Sequence, residues 1–261
     1  MEGFLRELDH TVADPIAYHA VFDQGNLPLN ALLGQQIELR FLGEKRCIVC
    51  NRKVNKLYQG GYCYPCVTTL AQTDLCIVKP HECHFHLGTC RDATYGESHC
   101  MIPHYVYLAV SSQAKVGLTR KGREYKRWVD QGAHKAMLFA EVPTRKAAGQ
   151  LEMMIASFIP DKTQWRHLVV GKTADVDLLA LAKEIQEQLP ESVRPSLLVD
   201  QVVHTFHYPV LDQAVPKVRS LDLEKESLHD RFIGIRGQYM LFDSAVVNIK
   251  KHGGMKCAIF T

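Results

Sequence analysis

The feature that most constrains this chain is its cysteine pattern, because eight of the nine cysteines fall between Cys47 and Cys100. The first four, here called the first cysteine set, read Cys47-x2-Cys50-x12-Cys63-x2-Cys66. Each Cys-x2-Cys pair makes a tight turn whose two thiolates converge on one ion, and two such pairs complete a tetrahedron. The spacing therefore predicts a structural zinc site that holds together a stretch with little apolar material of its own.

A second cysteine set follows with wider spacing and no Cys-x2-Cys pair: Cys76, Cys83, Cys90 and Cys100. We expect it to bind a second structural zinc ion, since four thiolates satisfy that metal. An iron–sulfur cluster, which takes the same ligands, and buried or free thiols are the alternatives. The histidines of this stretch are expected to be surface or hydrogen-bonding residues: His81, His84, His86, His99 and His104.

Length and composition indicate a soluble globular protein with enough apolar material for two or three small domains. The chain has 261 residues, of which 46% are hydrophobic and 23% are charged. Its first residues lack the basic start and apolar core of a signal peptide, and it has no run of about 18 apolar residues, so we expect no membrane span. Zinc-type thiol spacing without a secretion signal predicts a cytoplasmic location, and a disulfide framework is the alternative.

The net charge of +3 conceals two locally basic stretches. Residues 114–127 carry six basic side chains against one acidic side chain, and residues 231–256 carry five against one. Such stretches either bind phosphate groups or form solvated basic loops.

Hydrophobic periodicity divides the rest of the chain into strands and helices. Strands are predicted at 36–42, 105–110, 114–119, 137–142, 197–206, 234–243 and 245–249, with hairpins at 105–119 and 237–249. Helices are predicted at 124–130, from Pro143 to about Ile159, and at 175–189.

The order and spacing of Tyr105–Tyr107, Lys115–Gly117, Arg127 and Glu152 resemble the GIY-YIG nuclease pattern. In that superfamily a hairpin carries two tripeptides, an Arg follows on a short helix, and a Glu on a later helix binds one divalent ion. Gly117 matches the glycine of the second tripeptide. The leading Gly of the first tripeptide and the Tyr of the second are absent here.

The resemblance implies phosphodiester hydrolysis with named roles for these residues. Glu152 would hold Mg²⁺ or Mn²⁺, which prefer oxygen ligands, and Arg127 would neutralise charge on the phosphoryl oxygens. Either Tyr107 or Tyr105 would orient or deprotonate the attacking water. Lys115, at the position of the missing Tyr, would bind phosphate.

Two further arguments concern the same region. Arg120 and Arg123 are expected to hold the nucleic-acid backbone electrostatically together with Lys115. Glu152 lies beside the apolar stripe of the predicted helix, so its carboxylate faces the protein and needs a partner or a metal. Pairing with a neighbouring Lys or Arg is the alternative.

A wider resemblance, to an uncharacterised bacterial family of zinc-binding, GIY-YIG-like proteins, spans nearly the whole chain. It is carried by the segments 60–66, 88–92, 115–120, 127–133, 234–239 and 248–252. It implies an α+β fold in which a zinc-ribbon region (47–103) is followed by a small GIY-YIG-like α/β domain (104–172). A helix and a β-rich C-terminal domain (173–261) complete the chain, and the N-terminal segment (1–46) is expected to pair with that domain.

Three functions follow from these patterns. The first is a divalent-metal-dependent endonuclease, and the second is a non-catalytic DNA- or RNA-binding protein on a degenerate GIY-YIG fold. In both cases nucleic acid is the partner and membranes are not. The third is a redox or thiol enzyme that uses the second cysteine set. Two structural zinc ions are expected per chain, with Mg²⁺ or Mn²⁺ in addition for the endonuclease.

Overall fold

A computed structural model describes residues 1–159 and 164–261 as a mixed α+β protein with one large and one small sheet. Over these residues the strands β1 to β12 are Glu2–Thr11, Ala17–Phe22, Gly25–Pro28, Gln36–Lys45, His104–Val110, Ala114–Arg120, Lys135–Val142, His204–Thr205, Leu228–Arg236, Tyr239–Phe242, Val246–Asn248 and Met255–Phe260. The helices α1 to α7 are Tyr64–Thr69, Leu75–Val78, Ala93–His99, Glu124–Asp130, Arg145–Ala156, Trp165–Val169 and Leu178–Gln188. None of these helices is long and apolar enough to cross a membrane.

The chain divides into two compact units. Unit 1 consists of Met1–Thr68, Val169–Gly171 and Phe206–Thr261, and unit 2 consists of Thr69–Leu168 and Lys172–Thr205. The first cysteine set therefore lies in unit 1 and the second in unit 2, whereas the sequence grouped all eight cysteines in one region. Helix α7 lies in unit 2, although the sequence grouped it with the C-terminal strands.

Unit 1 is built on an eight-stranded antiparallel sheet in the order β11-β10-β9-β4-β12-β1-β2-β3. The predicted strand at 36–42 is present as β4, and the predicted hairpin at 237–249 is present as β10 and β11. The last strand, β12, lies between β4 and β1, so both ends of the chain share one sheet. In β2, buried Tyr18, Ala20 and Phe22 alternate with more exposed residues, which is the pattern of a strand with one buried face.

Unit 2 is built on a four-stranded sheet in the order β6-β5-β7-β8. The predicted hairpin is present as β5 and β6, and the predicted strand at 137–142 is present as β7. The strand predicted over 197–206 is largely wrong, because only His204–Thr205 forms a strand. Val199 is 95% exposed and Val202 is 61% exposed, so packing does not favour a strand at these residues. By contrast, Phe206 is buried and Val203 packs partly against the core.

Helices α5 and α7 pack on one face of the unit 2 sheet. The Thr144 hydroxyl caps α5 by accepting a hydrogen bond from the Ala147 N–H (3.2 Å). The predicted apolar stripe of this helix is buried at Ala148, Leu151 and Ile155, which join the core formed by β5, β6, β7 and α7. The fourth predicted member, Phe158, is exposed because the helix ends at Ala156.

Candidate functional sites

The first cysteine set forms a compact group of four potential metal ligands. Its four sulfur atoms all lie within 4.8 Å of one another, and the Cys50 and Cys63 sulfurs are 3.6 Å apart. A zinc ion with Zn–S bonds of about 2.3 Å needs sulfurs about 3.8 Å apart along each edge of its tetrahedron. The group could therefore hold a zinc ion. None of the nine cysteines, all of which the structure describes, forms a disulfide.

The backbone around this set favours thiolates over thiols. Burial raises the pKa of Cys47, but hydrogen bonds from the backbone N–H groups of Cys50, Cys63 and Val49 bring it down to about 6. These N–H groups stabilise negative charge on sulfur, which is the state that a metal requires. Burial and the neighbouring thiols raise the pKa of Cys66 to about 12, so four adjacent sulfurs need a cation to be ionised together.

Glycines join the first cysteine set to the sheet of unit 1. The Arg46 N–H, next to Cys47, donates to the Gly254 carbonyl oxygen (2.8 Å), and the Gly254 N–H donates to the Leu5 carbonyl oxygen (2.7 Å). A Cβ atom on Gly253 would lie 2.4 Å from the Gly60 carbonyl oxygen. Only a residue without a side chain allows this approach, so the chain at Gly60, just before Cys63, packs directly against the residues that precede β12.

The second cysteine set surrounds a single small cavity in unit 2. The cavity measures about 10 Å³, roughly the space of one water molecule or ion. It is lined by the four cysteines together with Ala71, Asp74, Ile77, His84, Phe85, Tyr95 and Gly96. Burial, together with the Asp74 carboxylate and the other three cysteines, raises the pKa of Cys76 to about 11. Widely spaced cysteines are thus brought to one place by the fold.

Two residues of this cavity were not expected as ligands. Asp74, Cys76 and His84 place one ligand atom each within 4.8 Å of the others. The sequence analysis assigned His84 a surface or hydrogen-bonding role and gave Asp74 none. The available signals were that Asp74 precedes Cys76 by two residues and that His84 directly follows Cys83.

The second cysteine set also determines where α5 begins. The Arg145 N–H donates to the Cys100 carbonyl oxygen (2.8 Å), and its guanidinium donates to the Ile77 carbonyl oxygen (2.7 Å). A Cβ atom on Gly149 would lie 2.6 Å from the Pro80 side chain, so the helix and this region are in close contact. Since α5 carries Glu152, the position of that carboxylate depends on the cysteine-rich segment.

Tyr107 lies at the centre of a group that we call the polar cluster, made of Tyr107, Arg127, Gln131 and Glu152. Tyr107 on β5 pairs directly with Gly117 on β6, where a Cβ atom would lie 2.4 Å from the phenol oxygen. The glycine therefore lets the buried phenol cross β6. The phenol O–H donates to Gln131 Oε1 (2.8 Å), and the ring packs edge-on against Trp128.

Arg127 and Glu152 act on the same phenol from different helices, α4 and α5. Burial raises the pKa of Tyr107, the Arg127 guanidinium lowers it by charge and hydrogen bonding, and the Glu152 carboxylate raises it. Arg127 is exposed and Glu152 is half-buried. The structure thus brings two further predicted catalytic residues, Arg127 and Glu152, within electrostatic range of Tyr107.

The remaining predicted residues lie around this cluster. Lys115 is buried on β6 and pairs with Ala109, so it lies on the sheet face that carries Tyr107. Arg120 is half-buried at the end of β6, and Arg123 is exposed at the start of α4. Burial raises the pKa of Tyr105, whose neighbour Lys121 binds Glu141 (2.9 Å).

Two parts of the predicted chemistry receive no support. The pKa values of both tyrosines are raised, so at neutral pH neither phenol is ready to deprotonate water. Within residues 1–159 and 164–261, Glu152 belongs to neither of the two groups of His, Cys, Asp and Glu that could hold a metal ion.

A family model described as "Protein of unknown function (DUF2797)" matches residues 34–257. No curated protein and no solved structure matches the chain. The match covers most of the sequence, so the chain belongs to the DUF2797 family. The expectation of an uncharacterised family is confirmed, and the relation of that family to zinc ribbons and GIY-YIG nucleases stays a prediction.

Proposed function

We propose that this DUF2797 protein binds nucleic acid with unit 2 and hydrolyses its phosphodiester backbone at the polar cluster, with a structural zinc ion in unit 1. The observation that carries the proposal is that Arg127 and Glu152 both act on the buried phenol of Tyr107. A cation for a phosphate and a carboxylate for a divalent ion therefore share one place, in the chain order that resembles the GIY-YIG pattern.

The electrostatics of α4 support phosphate binding. Arg123 is the N-cap residue of α4 and Arg127 lies about one turn into the helix, and both are exposed. Arg120, at the end of β6, adds a third guanidinium to the same part of the chain. A guanidinium binds two phosphoryl oxygens at once, which suits a nucleic-acid backbone and the charge that develops during hydrolysis.

Glu152 fits the role of a single protein ligand to Mg²⁺ or Mn²⁺. These ions prefer oxygen donors, and Mg²⁺ commonly keeps several waters and takes only one or two carboxylates beside substrate phosphate. Such an ion would polarise the phosphate and stabilise the leaving oxygen when bound.

The other residues of the polar cluster position the substrate. The Tyr107 phenol stays protonated and fixes Gln131 through the hydrogen bond to Oε1, which leaves the amide NH₂ group to donate to a phosphoryl oxygen. Hydrolysis adds water to phosphorus and breaks the bond to one bridging oxygen. With both phenols protonated, the proton of the attacking water passes to solvent.

Glu152→Gln tests the proposal directly. Cleavage of fluorescein-labelled single- and double-stranded DNA and RNA would be followed in Mg²⁺ and in Mn²⁺. We expect the variant to lose about 10²- to 10³-fold in rate, a typical cost of removing one group that stabilises the transition state. Glu187→Gln, the same change at an exposed position of α7, is the matched control and should cleave like the wild type.

The no-metal condition should omit the divalent ion and not use a chelator, because a chelator would also remove zinc. Equal cleavage by the Glu152→Gln and Glu187→Gln variants would refute the assignment of Glu152.

A second candidate function, non-catalytic nucleic-acid binding, is favoured by the raised pKa of Tyr107 and its engagement with Gln131. In that case the same substrates stay intact, and Glu152→Gln binds as tightly as the wild type or more tightly. Arg127→Ala should weaken binding and reduce the slope of log affinity against log salt by about one. Arg194→Ala removes an equally exposed guanidinium elsewhere in unit 2 and is the control.

A further inference from the structure

We propose that the cavity of the second cysteine set is a mixed-ligand transition-metal site, in which Asp74, Cys76 and His84 are the primary ligands. This replaces the four-thiolate zinc site expected from the sequence. The proposal is independent of the nucleic-acid activity above, because it concerns other residues and is tested by metal content alone.

The first argument is the anchoring of the His84 ring. Its Nδ1 lies 2.8 Å from the Thr89 hydroxyl oxygen, which also lies 3.3 Å from the His84 carbonyl oxygen. This contact fixes the orientation of the ring, and fixing one ring nitrogen in this way is how proteins orient a histidine that binds metal through the other.

The second argument is what Nε2 faces. His84 Nε2 lies 3.8 Å from Asp74 Oδ2, and the Asp74 side chain is only 12% exposed. At 3.8 Å the two atoms are too far apart for a direct hydrogen bond, and a cation placed between them would contact both. The Arg91 guanidinium, whose Nε lies 2.9 Å from the same Oδ2, fixes the carboxylate and so holds this arrangement in place.

The third argument is the set of donors around the cavity. One nitrogen, one sulfur and one oxygen atom within 4.8 Å suit a borderline ion such as Zn²⁺, for which Co²⁺ is a spectroscopic substitute. Buried Cys83 and Cys100 line the same cavity and offer the fourth ligand. The cavity volume of about 10 Å³ is enough for one ion.

The test is the metal content of the purified full-length protein after exchange into metal-free buffer. The wild type should carry two zinc equivalents, and His84→Ala and Cys76→Ser should each carry one. His86→Ala is the matched control, since His86 is two residues away, is exposed and contacts Lys146 (3.4 Å) and not the cavity. It should retain two equivalents.

Thr89→Val provides a variant that should fold normally, because Thr89 is exposed. Removing the partner of Nδ1 should weaken metal binding at this site about 10- to 100-fold, as loss of such supporting hydrogen bonds typically does. The affinity would be measured by competition with a chromophoric chelator, and the first cysteine set should release its metal as in the wild type.

Four results would overturn the proposal. One is a wild type with a single metal equivalent. Another is a His84→Ala variant that keeps both metal equivalents while the Cys83→Ser and Cys90→Ser variants each lose one equivalent. That result is the behaviour of a four-thiolate site. A brown protein with visible absorption that contains iron and sulfide would indicate a cluster. Unchanged affinity in Thr89→Val would show that the Thr89 contact does not orient His84 for a metal, and would remove the proposal with it.

Discussion

The two cysteine sets reach their geometry by different routes. In the first set, two short turns contain all four cysteines. Backbone N–H groups of the same segment donate hydrogen bonds to the Cys47 sulfur. In the second set, the cysteines come from separate short helices and turns between α2 and the end of α3, and they meet only because that segment folds against α5. The first is a local structure, and the second is a product of tertiary packing.

This difference assigns the two sets different roles. The first set lies in a segment with few buried apolar residues, so a metal there would replace a hydrophobic core. The second set contacts α5, a helix that belongs to the apolar core of unit 2. The Cys100 carbonyl oxygen accepts a hydrogen bond from the N–H of Arg145, the first residue of that helix. Loss of the second cysteine set should therefore move α5 and Glu152 without unfolding unit 2.

The largest expected effect comes from Cys50→Ser in the first cysteine set. Structural zinc in small domains contributes about 10–16 kcal/mol of apparent binding free energy, and most of that is folding free energy. We expect the variant to lose one zinc equivalent and the order of residues 47–68, as measured by metal analysis and limited proteolysis. Cys257→Ala is the control, because burial raises the pKa of that thiol to about 12 and it belongs to neither set. A variant that keeps its zinc would contradict the local role.

A smaller effect is expected where the second cysteine set meets α5. Arg145→Met removes the guanidinium that donates to the Ile77 carbonyl oxygen (2.7 Å) and leaves that oxygen unsatisfied. We expect a loss of about 2–3 kcal/mol in the free energy of unfolding, measured by urea denaturation. Lys146→Met, at the next position, should change it by less than about 0.5 kcal/mol. Equal stability of the two variants would show that this contact does not hold α5.

The parts that the sequence predicted well are those with local causes. The hairpin of β5 and β6, helix α4 and the first cysteine set depend on short-range alternation, a short turn and Cys-x2-Cys spacing. Glu152 was placed beside the apolar stripe of its helix, and the structure has it half-buried next to buried Leu151.

The parts that the sequence missed depend on distant residues. Strands β1 and β12 pair across the whole length of the chain, with Glu2 opposite Ala258, and no local pattern reveals such a pairing. The nearness of Asp74, Cys76 and His84 depends on how several short turns pack, which residue spacing does not encode. The raised pKa of Tyr107 likewise follows from burial by Trp128 and neighbouring elements, and not from the tripeptide that contains it.

The smallest predicted effect is a pH dependence of stability that arises from a buried histidine. Each unit contains one such histidine in the part of the chain that the structure describes. In unit 1, His252 accepts a hydrogen bond at Nε2 from the Leu223 N–H and donates from Nδ1 to the Asn248 carbonyl oxygen. In unit 2, His104 Nδ1 lies 2.8 Å from the Ile102 carbonyl oxygen, and among the described residues its buried Nε2 has no hydrogen-bond partner. Burial lowers the pKa of both, to about 4 for His104.

The pH dependence of stability follows from the sign of these shifts. An unfolded histidine has a pKa of about 6.5. As pH falls below that value, His104 binds a proton in the unfolded state but not in the folded state. The contribution of His104 to stability is therefore complete above about pH 6.5 and is lost towards pH 4. Between pH 7 and pH 5 we expect it to remove about 2 kcal/mol from the free energy of unfolding. His104→Gln, which cannot titrate, should show a correspondingly shallower fall in urea denaturation at the two pH values. An identical fall in the variant and the wild type would mean that His104 is protonated in the folded protein, and unit 2 would then not bury it as the structure indicates.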